Sequence, residues 1–186
     1  MIAAGWLAII LAVVAIATVV SLVIFFTVGG PFGSLNDAGN ALIGLLSAAL
    51  AIMVITQAGG WTGVAAAVIG AALTAWGSWL VMSGATGFVL AGFVSTAGFG
   101  SIGLWLALMA WEPTAEALFG SLLTVARIAA VAMIVGGLVA IPAALMRIDS
   151  YESMPGWVWL FSLGWLGVYV LYPVVTFGLG RNLIGD

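Results

Sequence analysis

Six apolar stretches of twenty or more residues each run along this chain, separated by short clusters of Gly, Pro, Ser, Asn and charged residues. A helix needs about 20 apolar residues to cross a ~30 Å hydrocarbon core. The stretches at 2–28, 37–56, 62–82, 88–110, 117–146 and 156–180 therefore read as six transmembrane helices. They form one membrane domain over residues 1–186, an all-α polytopic bundle. A membrane β-barrel would instead show ~10-residue alternating segments. The first stretch has no basic residues before it and exceeds a signal peptide's ~7–15-residue apolar region, so it reads as a span.

The breaks carry their own signals. Gly29-Gly30-Pro31 ends the first span, and Ser34 or Asn36 is expected to cap the second, with Asp37 in its first turn. Turns follow at 57–60 and 83–87, and Trp61 and Trp111 have the amphipathic rings that suit the interface. Ala66, Gly70, Thr74 and Ser78 recur every fourth residue on span three, the small-residue spacing that lets helices approach closely in lipid. Span four has two such stripes, Gly92/Thr96/Gly100 and Ala91/Ser95/Gly103, which predict contact with two helices. Gly136, Gly137 and Pro142 predict a bend in span five.

Composition sharpens this picture mainly by exclusion. The chain is 65% hydrophobic and 5% charged, which rules out a soluble domain. Arg127, Arg147 and Arg181 are its only basic residues, and three scattered arginines make no nucleic-acid surface. Without cysteine or histidine there is no disulfide, and the usual ligands for haem, zinc or copper are missing. Without lysine no Schiff base can form. No cofactor, no metal site and no catalytic residue is expected.

The charge that remains is concentrated around span five. Pro113 suits a helix's first turn, with Glu112 and Glu116 at its positive end. If that helix enters the bilayer near residues 117–119, Arg127 lies ~12–15 Å deep, and Tyr169, Ser95, Thr96 and Thr74 are its expected partners. The alternative is an arginine that snorkels to the interface. Glu112 and Glu116, four apart, form a carboxylate pair that can hold a proton or a cation. Asn36, Asp37 and Asn40, with Ser47 beyond, make a polar edge on span two. That edge reads either as capping plus an interhelical hydrogen bond or as a binding rim. Arg147, Asp149, Tyr151 and Glu152 form a charged loop whose charges can pair with one another.

An even number of spans puts both termini on one side. Arg181 in the tail and nearby Arg127, against Arg147 opposite, tilt that side towards the cytoplasm of a cell membrane. Residues 40–46 and 116–122 are similar, the weak trace of a 3+3 inverted repeat of the kind found in transporters.

The leading expectation is an integral membrane protein of packing type. It is either a structural or accessory subunit, or a protein binding lipid or an apolar ligand. Its partners are membrane lipids, other subunits, or copies of itself docked through small-residue faces. One alternative is a small-solute channel or transporter with Arg127, Glu116, Tyr169 and the span-two polar residues on the route. Another is a membrane enzyme acting on a lipidic substrate through Glu112 and Glu116.

Overall fold

A computed structural model describes residues 1–57 and 59–185; Ala58, in the expected turn at 57–60, and Asp186, in the tail, lie outside the described residues. Among the described residues the chain is all-helical, with six helical segments long and apolar enough to cross a membrane. It is a multi-pass membrane bundle. The helices are α1 (Ile2–Val28), α2 (Phe32–Met53), α3 (Gly60–Met82), α4 (Phe88–Ala110), the short α5 (Ala115–Phe119), α6 (Leu123–Leu145), the short α7 (Ser162–Leu166) and α8 (Tyr172–Gly185). Span five comprises α5 and α6, and span six runs from Gly156 to Gly185 through α7 and α8.

Consecutive spans pack side by side, and α8 closes the ring against α1. A glycine sits on every seam, because only a missing Cβ lets backbones approach so closely. A Cβ on Gly39 would strike Thr18 across the α1–α2 seam, and one on Gly44 would strike Thr74 across α2–α3. At Gly70 it would lie 2.8 Å from the Gly98 carbonyl oxygen of α4, and at Gly137 it would lie 2.6 Å from the Gly100 Cα. Gly136 meets Gly164 between spans five and six, and a Cβ on Gly180 would come 2.6 Å from the Gly5 carbonyl oxygen.

Burial alternates around the ring. The second, fourth and sixth spans are 56, 61 and 50% buried, against 33, 44 and 39% for the first, third and fifth. The even spans therefore form the inner layer. The four small residues of α3 are all buried. Span four contacts two helices as its stripes predict, but Gly103 packs with Gly100 on α6, not with Ser95 on the α3 side.

Three expectations are corrected. The second span starts at Phe32 rather than residue 37, directly after Pro31, and no side chain caps it. Ser34 is exposed, and Asn36 and Asp37 are carried one turn into the helix, facing inward. Span five is not continuous. Gly120 takes a positive φ of 51°, which few residues other than glycine adopt, and ends α5 before α6 begins at Leu123. The stretches 40–46 and 116–122 thus differ in backbone, one helical throughout and the other broken. Finally, the Asp149 carboxylate pairs with no neighbour in its own loop. It accepts hydrogen bonds from the Gly87 (2.8 Å) and Leu90 (3.1 Å) amides and so caps α4. α6 itself runs on as one helix through Gly136, Gly137 and Pro142.

Span six is irregular. A 3₁₀ segment (Gly156–Phe161) leads into α7, and a π-helical turn (Gly167–Leu171) joins α7 to α8. Pro173 has no N–H to offer the Tyr169 carbonyl and crowds it, which accounts for the wider turn just before the proline. That turn carries Tyr169.

Candidate functional site

The residues singled out from sequence fall into two groups at opposite ends of the bundle. Arg127 lies four residues into α6, roughly 6 Å from its start, beside the last residue of α4. Its Nε donates to the carbonyl of Ala110 (3.0 Å), the last residue of α4, and its guanidinium sits 5.4 Å from the centre of the Trp111 ring. A cation at a helix C-terminus is where the macrodipole favours it. Tyr169, Ser95, Thr96 and Thr74, its expected partners, are not what it touches. The depth expected for it followed from a continuous helix, and the break at Gly120 removes that premise. Glu112 is half-buried beside Trp111, and Glu116 is exposed on α5. Close by, Asn182 donates to the Leu118 carbonyl (2.9 Å) and caps α5 from α8.

The other group converges. Asn36, Asp37, Asn40 and Tyr169 are buried together between α1, α2, α4 and span six. Successive turns of α2 put the first three on its inward side, and the π turn of span six brings the phenol across to meet them. The Tyr169 hydroxyl donates to Asn40 Oδ1 (2.6 Å), Asn40 Nδ2 to Asn36 Oδ1 (3.4 Å), and Asn36 Nδ2 to the Thr18 carbonyl (3.2 Å). Two turns further along α2, Ser47 bonds Tyr172 (2.8 Å) on the same span-six face.

These groups enclose a cavity of ≈ 20 Å³. A site needs ~10–15 Å³ to hold one water, so this one admits a single water or a bare small ion and no organic solute. Its polar lining is Asn36, Asp37, Asn40, Tyr169, Ser95 and Trp165. Two of these are committed elsewhere: Asn36 anchors to α1, and the Trp165 indole donates to Thr96 Oγ1 (3.1 Å). Asp37 is 8% exposed and its carboxylate takes no hydrogen bond from any described residue, although its backbone carbonyl accepts one from Ser78 Oγ (2.6 Å). Phe88 also lines the cavity, with Phe25 and Phe26 packed on it at ring distances of 6.0 and 6.1 Å.

The sequence grouped Asn36, Asp37 and Asn40 as a polar edge of span two but placed Tyr169 beside Arg127 and not with them. Ser95 was expected beside Arg127 and on a packing stripe, Gly92 was read only as part of such a stripe, and neither Trp165 nor Phe88 was given a place in a site. A polar spacing on α2 was visible, but its partner on span six lies 129 residues away in sequence. No known protein family matches the chain, and no curated protein and no solved structure is similar to it.

Proposed function

We propose that the protein belongs to the channel or transporter class and takes up one proton or one monovalent cation at Asp37. A single observation carries this reading: a largely buried acid whose carboxylate has no donor among the described residues and lines a one-water cavity inside a membrane bundle. An ionisable side chain within a membrane span is expensive and, by default, points to a route or binding site. Asp37 carries one negative charge, and one proton or one monovalent ion neutralises it. A divalent cation would ask for more acids, and no cluster of three potential metal ligands occurs among the described residues. Asn36, Asn40, Ser95 and Tyr169 supply the neutral oxygens around the ion. Phe88, the first residue of α4, lines the cavity, so rotation of this ring is the simplest way to widen it. The glutamates near Trp111 have no part in the route.

The test is flux in vesicles. The full chain is reconstituted in liposomes carrying an internal pH dye, with a sodium gradient imposed in one arm and a pH step in the other. Wild type should move protons or sodium faster than empty vesicles, and Asp37→Asn should return the rate to that of empty vesicles. Equal rates for wild type and empty vesicles, or for wild type and Asp37→Asn, would overturn the proposal.

One observation favours a second reading, that of a structural or accessory subunit. Glycines lock every seam of the ring, as expected of a rigid scaffold. The small faces are then consumed inside the bundle, and partner subunits would dock on the bulky outer faces. Such a protein moves no ion in the vesicle assay and co-purifies with a stoichiometric partner from its native membrane.

A further inference from the structure

On the outside of the bundle a groove of ≈ 750 Å³ runs between α3 and α6 over the recessed α4. Its length is apolar, with Leu73, Trp76, Val94 and Ile141 along the walls, whereas Thr86, Arg147 and Asp149 gather at one end.

That end has an unusual backbone. α3 and α6 finish there in the same way. The amides of Gly84 and Ala85 bond the carbonyls of Val81 and Leu80, and those of Arg147 and Ile148 bond the carbonyls of Ala144 and Ala143. This closing motif needs a left-handed residue just after the helix, usually glycine. α3 supplies Gly84 at φ 72°, but α6 supplies Arg147 at φ 54°. A left-handed conformation costs a residue with a Cβ roughly 1–2 kcal/mol, so the backbone alone would favour glycine here. The neighbouring acid does not account for the arginine either, since the Asp149 carboxylate is held by two amides of α4. Thr86 Oγ1, on the same groove, is shielded from solvent and has no hydrogen-bond partner.

We infer that this groove binds a phospholipid with a net negative headgroup, an acyl chain lying along the apolar walls and the phosphate held by Arg147 and Thr86. A guanidinium fork matches phosphate oxygens, and a hydroxyl with no partner supplies a further donor. Basic pockets between membrane helices are where anionic headgroups bind. With Asp149 already engaged, the positive charge of Arg147 stays available, which selects an anionic lipid over a zwitterionic one. This site lies outside the ring, apart from the Asp37 cavity, and stands or falls independently of it.

The experiment is thermal unfolding of the purified full chain in a neutral maltoside detergent. Phosphatidylglycerol, phosphatidylcholine or inorganic phosphate is added, and bound lipid is counted by native mass spectrometry. Phosphatidylglycerol should raise the Tm by several degrees, and the other two should leave it in place. Arg147→Gly should weaken phosphatidylglycerol binding about fivefold, the worth of one arginine near a headgroup. The lipid-free Tm of that variant should be unchanged or higher, because glycine suits the left-handed backbone. Arg147→Asn, another residue tolerated in that conformation, gives the same readout should the glycine variant fold poorly. Thr86→Val should weaken binding by a smaller factor. The inference fails if both Arg147 variants respond like wild type, if phosphatidylcholine stabilises equally, or if inorganic phosphate alone reproduces the shift.

Discussion

Asp37 and Arg127 pose the same physical problem, a charge within a membrane span, and the bundle treats them in opposite ways. Arg127 has a long side chain and starts near a helix end. It reaches the carbonyl of Ala110 at the end of α4 and rests on the Trp111 ring, so its charge is compensated by the protein itself. Asp37 has a short side chain, held one turn inside α2 by the start of that helix at Phe32. Its carboxylate takes no hydrogen bond from any described residue, and it borders a cavity for one small guest. What makes an intramembrane charge a candidate for function is thus less its rarity than whether the fold has already given it a partner. Asp149 and Asn182 follow the Arg127 pattern, each capping a helix of another span.

The sharpest way to break this contrast is to remove both charges in turn. Asp37→Asn should abolish ion movement in vesicles and leave the Tm at or above that of wild type, since an amide does not carry the desolvation cost of a carboxylate. Arg127→Leu should keep full ion movement. It should lose about 2 kcal/mol of stability, through an uncapped helix end and a lost cation–π contact. Arg127→Lys should recover part of that loss, because an ammonium restores the charge but not the planar fork. If instead the arginine variant loses transport and the aspartate variant keeps it, the roles assigned to the two corners are reversed.

Tyr169→Phe sharpens the contrast on the Asp37 side. Losing the bond to Asn40 should cost about 1 kcal/mol, within the range of interhelical hydrogen bonds in membranes. The ion rate should change severalfold without vanishing, as the phenol shapes the cavity and the carboxylate binds. A rate identical to wild type would reduce Tyr169 to a packing residue.

The span count was legible because bilayer thickness fixes the length of an apolar run, and α1 and α4 begin and end where the apolar pattern does. Which faces turn inward was only partly legible. These helices are apolar nearly all round, so no polar face marks the outside, and the glycine and small-residue stripes are the remaining signal. That signal succeeded on α3, whose stripe is wholly buried, and on α4 apart from Gly103, which faces α6, and Gly92, where a Cβ would meet no atom within 4 Å. It could not foresee Gly120, which looks like any other glycine in an Ala/Leu-rich stretch and yet breaks span five and sets the depth of Arg127. The start of α2 was missed for a related reason. Ser34 and Asn36 look like caps, but Pro31 already has the fixed φ that starts a helix, at −72°, so two residues expected at a rim became part of the interior. The Tyr169–Asn40 pairing depends on the π turn before Pro173, a detail that residue spacing does not encode.

The smallest expected effect probes the cavity without touching any polar group. A Cβ placed on Gly92, which lines the cavity, would meet no atom within 4 Å. Gly92→Ala therefore adds a methyl group in open space, unlike Gly77→Ala, whose Cβ would lie 2.8 Å from the Ala91 carbonyl oxygen. Replacing a mid-helix glycine by alanine should stabilise the folded chain by about 0.5–1 kcal/mol. Standing at the edge of the ≈ 20 Å³ cavity, the same methyl narrows it for the guest. The expected outcome is a variant slightly more stable than wild type with slower ion movement, read by thermal unfolding and vesicle flux on one preparation. A packing-type protein would show the gain in stability alone. If Gly92→Ala is stabilised and its ion rate is undiminished, the cavity is a packing gap and Asp37 binds its ion elsewhere.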